Sequence, residues 1–148
     1  LGSSSLGVPL YLYKYSREFY KNISQDFYGY SIGEIVKETI MGGMSCGDVS
    51  TVAWEILKNS AKYCLTISDN AIPAAVALLA EKRLSDEKII AGECAVPGVI
   101  ALISAFKNKN YLTKLNLNSE SKVLLFGCEG LTDKDMYNKL LNEGLKKI

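Results

Sequence analysis

The stretch that decides the fold is "VLLFGCEGLTD", from Val123 to Asp133. Its continuous apolar run stops at Gly127, and a thiol and a carboxylate follow between two glycines. A run of this kind is typical of a parallel strand that is covered on both faces. In open α/β sheets ligands bind beyond the C-terminal ends of such strands, so Cys128 and Glu129 lie where a ligand is expected. For "FGCEG" alone, a glycine-bracketed turn with a buried thiol is an equally good interpretation.

The part of the chain before this stretch carries the apolar spacing of several α-helices. The first helix, "SIGEIVKETIMGGM", is predicted to begin after a Ser31 cap and to stop at a pair of glycines. The second, "STVAWEILKNSAKY", has Asp48 or Ser50 as its cap and presents a broad apolar face. The third, "NAIPAAVALLAEKRL", has Ser68 or Asp69 as its cap.

Two more helices are predicted, one before and one after the stretch Val123–Asp133. An apolar helix is predicted from Val96 to Phe106, with Pro97 near its start, where the missing N–H costs little. Because this helix has almost no polar face, we expect it to be buried on most sides. The last helix, "KDMYNKLLNEGLKKI", has Thr132 or Asp133 as its cap and lysines at its C-terminal end, where they complement the helix dipole.

Strands are fewer than helices. Cys64–Ser68 is short and β-branched, and Lys122–Gly127 is the continuous apolar run described above. These elements predict an α/β fold that is helix-rich with a few parallel strands and incomplete as a sheet on its own. Residues 1–31 form a Tyr-rich segment that the pattern does not place, and residues 32–148 form the remaining predicted unit.

Composition excludes several classes of protein. The 148 residues suit one domain, the net charge is only +1, and acidic and basic residues are mixed along the chain. A single-sign patch for nucleic acid or a membrane surface is therefore not expected. No apolar run approaches the roughly 20 residues that span a bilayer. The first residues lack the basic lead and apolar block of a signal peptide, so we expect a cytoplasmic protein.

The numbers of cysteine and histidine restrict the chemistry. There are four cysteines in no C-x-x-C pair and no histidine, so we expect no metal site. The absence of histidine excludes Ser-His and Cys-His nucleophilic machinery within this chain. Any catalysis in which the chain takes part must use carboxylates, lysines, a thiol or a cofactor.

Two further glycine-rich stretches carry candidate site residues. In "AGECAVPG", Glu93 and Cys94 stand at the start of the apolar helix, where a carboxylate serves as a cap or faces a ligand site. In "TIMGGMSCG", the bend around Gly42 could hold an anion through backbone N–H groups. It lacks the lysine of a P-loop, so a nucleotide site is not expected.

The order of the three stretches resembles the C-terminal part of the diaminopropionate ammonia-lyase family. These are pyridoxal-phosphate enzymes of fold type II, the tryptophan-synthase-β-like group. The resemblance runs from about Ile32 to the C-terminus. Matching positions are Thr39-Ile40-Met41, Gly43, Cys46-Gly47, Trp54-Glu55-Ile56-Leu57, Gly92-Glu93, Gly98, Glu129-Gly130 and Thr132-Asp133. Departures are Gly127-Cys128 for Ser-Thr, Leu131 for an acidic residue, and Cys94-Ala95-Val96-Pro97 for Ser-Gly-Ala-Val.

The resemblance implies a pyridoxal 5'-phosphate site. Cys128 falls on the position that contacts the pyridine nitrogen in this fold, and a neutral partner there moderates the electron-sink character of the ring. Glu93 falls on the glutamate near the ring. Gly127 lets the backbone approach, and Gly42 lies in the bend on the cofactor side of the cleft. The implied reaction removes ammonia from 2,3-diaminopropionate or a similar amino acid by α-proton abstraction and β-elimination, giving a keto acid.

The resemblance also implies what this chain does not contain. The lysine that forms a Schiff base with the cofactor lies in the N-terminal half of these enzymes, so no catalytic lysine is assigned here. Partners would be that N-terminal half, a small amino-acid substrate and a second copy in a homodimer, and the chain alone would be inactive. A non-catalytic domain of the same fold, binding a partner through its Tyr-rich start, is the alternative. A thiol enzyme using Cys128 is a third hypothesis, less favoured because no basic residue is seen to activate the thiol.

Overall fold

The structure is a computed structural model that describes residues 39–44, 50–63 and 67–148. The described residues fall into two compact units. Residues 39–44 and 50–63 belong to one, and residues 67–148 belong to the other. The predicted helix after Ser31 and the Tyr-rich segment 1–31 lie largely or wholly outside the described residues, as does most of the predicted strand Cys64–Ser68.

In the smaller unit the described residues include one α-helix, α1, which spans Thr51–Ser60. Its cap is Ser50, whose hydroxyl accepts the N–H of Ala53 at 3.3 Å. Ser50 is one of the two residues that were predicted as the cap of this helix. A 3-10 turn at Gly42–Met44 precedes it in the chain. The apolar residue Val52 on α1 is 75% exposed.

Residues 67–148 of the larger unit form four α-helices. They are α2 at Ile72–Ala80, α3 at Pro97–Lys107, α4 at Lys109–Lys114 and α5 at Lys134–Leu145. Short 3-10 turns at Asp69–Ala71 and Glu93–Ala95 precede α2 and α3. Asp133, one of the two predicted caps of α5, accepts the N–H of Met136. Ser68 accepts the N–H of Asn70 and so caps the 3-10 turn before α2, whereas α2 itself begins after Ala71 without a side-chain cap. The short helix α4, capped by Asn108, was not predicted from the sequence.

Helix α2 ends earlier than its apolar pattern predicts. Its last residue is Ala80, and Lys82 follows with a φ of 56°, in the left-handed region. The N–H groups of Glu81 and Arg83 then bond to the carbonyls of Ala77 and Leu78. A residue in this conformation commonly closes a helix by satisfying its last carbonyls, so the polar run after Ala80 leaves the helix.

The core of this unit lies between α2 and α5. Ile72 and Val76 of α2 and Leu140 of α5 are each at most 3% exposed. The two helices approach closely because α5 has Gly144 at the contact. A β-carbon at that position would lie 2.6 Å from the Pro73 carbonyl carbon and 2.8 Å from the Ala77 side chain. The alanine-rich surface of α2 and the glycine of α5 therefore let the backbones meet.

The expectation that the helix after Val96 is buried on most sides is wrong. In α3 only Ile100 and Ala105 are buried, and Phe106 is largely exposed. The helix packs against α2, and its glycine Gly98 lies under Leu125. Its other apolar residues are partly open because the described part of the chain supplies no further layer over them.

The prediction of a helix-rich chain is confirmed, whereas the predicted parallel strands are not observed among the described residues. Lys122–Gly127 has no regular secondary structure, and its apolar side chains are exposed rather than buried. A strand needs a neighbouring strand for its backbone N–H and C=O groups, and the described residues supply none. None of the described helices is both long and apolar enough to cross a membrane.

Candidate functional site

One side of the candidate site is the turn before α3, which we name the Gly92–Val96 turn. Gly92 opens it, and Glu93–Ala95 form a single 3-10 turn. Its apolar members Cys94, Ala95 and Val96 are buried, and Pro97 then starts α3. Glu93 is half-buried, in contrast to the buried residues on either side of it.

The other side is the loop from Gly127 to Asp133, named the 127–133 loop. It leads from the exposed apolar segment into α5, and Asp133 ends it by accepting the N–H of Met136 at 2.9 Å. Cys128 is exposed in this loop, whereas Glu129 is half-buried. The acidic end of the loop is thus tied to the N-terminus of α5, where a carboxylate is stabilised by the free N–H groups.

Three hydrogen bonds join the turn to the loop. The N–H of Gly92 donates to the carbonyl of Glu129 at 3.2 Å. The N–H of Cys94 donates to Oε2 of Glu129 at 2.8 Å, and the thiol of Cys128 donates to the carbonyl of Cys94 at 3.5 Å. The second bond is short, as expected when the acceptor is a carboxylate. Residues 34 and 35 positions apart along the chain are therefore brought into one cluster.

The close approach depends on Gly92. A β-carbon there would lie 2.7 Å from both Cγ and Oε2 of Glu129. Side-chain atoms do not tolerate this separation, so any other residue would displace the carboxylate. Gly127 faces the turn with more room, since a β-carbon there would lie 3.5 Å from the Ala95 side chain. By contrast, a β-carbon at Gly130 would meet nothing within 4 Å.

Two carboxylates and a thiol lie together in this cluster. The ligand atoms of Glu93, Cys94 and Glu129 are all within 4.8 Å of one another. Such a trio can hold a metal ion, but both oxygens of Glu129 already accept hydrogen bonds. Oε2 takes the N–H of Cys94, and Oε1 takes the hydroxyl of Thr132 at 3.0 Å. The carboxylate of Glu129 therefore serves first to hold protein groups together.

The predicted site residues are distributed unequally. Cys128, Gly127 and Glu93 lie on the two sides of the joined turn and loop. Gly42 belongs to the other compact unit, where its N–H bonds to the carbonyl of Ile40 at 3.0 Å. Neither Cys94 nor Cys128 is in a disulfide.

Glu129 makes most of these contacts. The sequence predicts that it lies with Cys128 where a ligand is expected, but it does not predict that Glu129 binds the Gly92–Val96 turn. The pattern did contain a relevant feature, since glycines stand at 92, 127 and 130 around the two acidic residues. Small residues at both ends of a contact indicate close backbone approach, and this is what the pair Gly92 and Glu129 forms.

A separate groove lies away from this cluster. It has a volume of about 530 Å³ and is lined by α2, α3 and the C-terminal residues, with Arg83, Lys107 and Lys147 among its polar members. None of its lining residues belongs to the Gly92–Val96 turn or the 127–133 loop. The groove therefore adds nothing to the candidate site.

The curated proteins that are similar to this chain are ammonia-lyases. Diaminopropionate ammonia-lyase from Escherichia coli strain K12 is 31% identical over 109 residues, which are 72% of this chain and 27% of that protein. The Salmonella typhimurium enzyme of the same name is 28% identical over 110 residues. The resemblance predicted from the three sequence blocks is therefore confirmed.

The chain spans about a quarter of the length of the curated relatives it matches. No family model matches the chain, and no solved structure matches it.

Proposed function

We propose that this chain is the C-terminal part of the large domain of a pyridoxal-phosphate ammonia-lyase and supplies the pyridine-nitrogen side of the cofactor site. The complete enzyme would act on 2,3-diaminopropionate or a similar amino acid, with α-proton abstraction followed by loss of ammonia. The proposal includes a cytoplasmic homodimer, as the resemblance implies. Its main support is the similarity to diaminopropionate ammonia-lyases over 72% of the chain.

The chemistry of the joined turn and loop fits one edge of the cofactor. Cys128 offers an exposed thiol, an uncharged donor whose one proton would turn from the Cys94 carbonyl to a ring nitrogen that stays unprotonated. Gly127 carries no side chain beside it, so backbone and ring can approach. Glu93 is half-buried next to the same turn and could form one wall of the cleft. Pyridoxal phosphate, when bound, supplies an electron sink for the substrate α-carbon.

The rest of the enzyme would attach to the apolar segment Val123–Phe126. Leu124 and Phe126 are 76% and 84% exposed, and they alternate with Val123 and Leu125, which are less exposed. Alternation with period two is the pattern of a strand with two different faces. Leu125 lies on Gly98 of α3, so one face is in partial contact with α3 and the other is open. The open face is suited to the polypeptide that makes up the other three quarters of the relatives' length.

A chimera tests the role of Cys128. The region of the Escherichia coli diaminopropionate ammonia-lyase that aligns with this chain is replaced by the chain. Ammonia release from 2,3-diaminopropionate and the affinity for pyridoxal phosphate are then measured. Cys128→Ser should keep both, because a hydroxyl is again an uncharged hydrogen-bond partner. Cys128→Val should weaken cofactor binding by roughly fivefold or more, the value of one lost hydrogen bond. Equal affinities for the Ser and Val variants would remove Cys128 from the site.

The isolated chain provides the second arm of this test. Pyridoxal phosphate is added to the purified chain, borohydride is used to trap any Schiff base, and labelled lysines are mapped by mass spectrometry. We expect only scattered, weak labelling, because no lysine of the chain stands in the sequence context of the family's cofactor lysine. A stable visible band that reduces onto one specific lysine would overturn the assignment of that lysine to another part of the enzyme.

A further inference from the structure

Glu129 connects to the Gly92–Val96 turn through both its main chain and its side chain. Its carbonyl accepts the N–H of Gly92, and its Oε2 accepts the N–H of Cys94. Its Oε1 accepts the Thr132 hydroxyl, which fixes the carboxylate from the loop side. A half-buried glutamate with both oxygens and its carbonyl occupied has little rotational freedom left.

The fixed position of Glu129 also restricts the motion of the preceding residue, Cys128. Its main chain is joined to a fixed residue, and its thiol bonds to the carbonyl of Cys94, which is the same residue whose N–H Glu129 accepts. The two sides of Cys94 are therefore held by two consecutive residues of the loop. The thiol–carbonyl bond, at 3.5 Å and with a weak S–H donor, is too weak to hold the loop alone. The short bond to the carboxylate is the stronger of the two.

We propose that Glu129 is a positioning residue that holds the Cys128 thiol in place against the Gly92–Val96 turn. The value of this placement for catalysis rests on the proposed cofactor role of Cys128, whereas the tether itself does not. Gly92 is the necessary counterpart, because a β-carbon at that position would occupy the space of the carboxylate. The pair Gly92 and Glu129 thus forms one contact that can be broken from either side.

The first test uses amide hydrogen exchange in the 148-residue chain. Glu129→Ala should speed exchange of the Cys94 N–H by about tenfold or more, because a charge-assisted hydrogen bond is lost. Glu129→Gln keeps an oxygen acceptor of the same shape and should restore most of the protection. Amides of α2 and α5 should be unchanged in both variants. Unchanged exchange at Cys94 in Glu129→Ala would overturn the tether.

The second test measures the rate at which iodoacetamide alkylates Cys128, followed by mass spectrometry. Glu129→Ala should raise this rate because the loop is released. Glu129→Gln removes the charge but keeps the acceptor, so it separates a charge effect on the thiol from the loss of the tether. Equal rates for the Ala and Gln variants would attribute the effect to charge alone and would contradict the proposal.

Glycine variants break the contact from the other side. Gly92→Ala should release Cys128 as Glu129→Ala does, whereas Gly130→Ala, which meets nothing within 4 Å, should behave as the wild type. Adding Gly92→Ala to Glu129→Ala should have little further effect, because the new methyl group no longer meets a carboxylate. Additive effects, or equal effects at Gly92 and Gly130, would overturn the proposal. If Glu129→Ala fails to fold, this glycine comparison decides the question.

The chimera described above separates this inference from the proposed function. Glu129→Ala should lower the affinity for pyridoxal phosphate, and Glu129→Gln should recover most of it. If Cys128→Val leaves cofactor affinity unchanged while the exchange and alkylation effects persist, the cofactor role fails and the tether stands. If the exchange and alkylation effects are absent while Cys128→Val weakens binding, the tether fails and the cofactor role stands.

Discussion

Two apolar regions of this chain differ in burial. The contact between α2 and α5 buries Ile72, Val76 and Leu140 almost completely. The segment Val123–Phe126 is just as apolar, yet Phe126 remains 84% exposed and the segment forms no regular element. The difference lies in backbone hydrogen bonding, since a helix satisfies its own N–H and C=O groups and a strand depends on a neighbour.

This contrast teaches which parts of the molecule are complete within the chain. The helix pair has its partner a few dozen residues away and closes around small residues such as Ala77 and Gly144. The apolar segment has α3 beneath it through Leu125 and Gly98, but no partner along its backbone among the described residues. Hydrophobicity therefore predicts that both regions are buried, but among the described residues only the first is.

The largest effect is expected where the helix pair is tightest. Gly144→Ala would place a methyl group against the Pro73 carbonyl, and a backbone atom cannot move aside as a flexible side chain can. The gain in helix propensity of about 1 kcal/mol is outweighed, and we expect a net loss of about 2 kcal/mol in the free energy of unfolding. Urea denaturation measures it.

Gly130→Ala is the matched control for this substitution, since a β-carbon at Gly130 meets nothing within 4 Å. Its stability should stay within about 0.5 kcal/mol of the wild type. If Gly144→Ala were as stable as this control, the close approach of α2 and α5 would be wrong, and with it the idea of a completed core.

A smaller effect on stability is expected at Tyr137 of α5, a buried residue whose hydroxyl is not satisfied by the described part of the chain. It is 6% exposed, and within the described residues its hydroxyl has no hydrogen-bond partner. Burial, together with the nearby negative charge of Glu81, raises the pKa of Tyr137 above 10.0. Tyr137→Phe removes an unsatisfied polar atom, so below pH 10 its stability should lie within about 1 kcal/mol of the wild type or above it.

The sign of the pH dependence follows from the raised pKa. Above pH 10 the unfolded chain loses the tyrosine proton while the folded chain keeps it, so the wild type loses stability as pH rises. Urea denaturation at pH 8 and at pH 10.5 should therefore show a smaller alkaline loss in Tyr137→Phe. An equal loss in both proteins would mean that Tyr137 ionises as it does in the unfolded chain.

Local chemistry was predictable from the sequence. The caps at Ser50 and Asp133, each one of two candidates, and the first-turn position of Pro97 depend on a few neighbouring residues, and the structure has them. Ser68 caps the 3-10 turn that leads into α2 rather than α2 itself. The end of α2 was not predicted, because it is set by the left-handed conformation of Lys82 rather than by the apolar pattern.

Long-range features were harder to obtain from the same pattern. A continuous apolar run predicts that Lys122–Gly127 is covered, but the covering element need not be in the same chain. Cys128 and Glu93 could be singled out because motifs mark them. The contact of Glu129 with the Cys94 N–H, 35 residues apart, depends on how two loops meet, and no local spacing encodes that.

The smallest effect on the isolated chain, and the sharpest test of the contrast, is expected at Leu124. Leu124→Gln should change the free energy of unfolding of the 148-residue chain by no more than about 0.5 kcal/mol, because the side chain is already 76% exposed. In the chimera with the remaining enzyme, the same change should lower stability by about 2 kcal/mol or more, because a glutamine would then be buried without a partner. A large loss in the isolated chain would mean that the segment is packed within it. No loss in either protein would mean that the open face is not where the rest of the enzyme attaches.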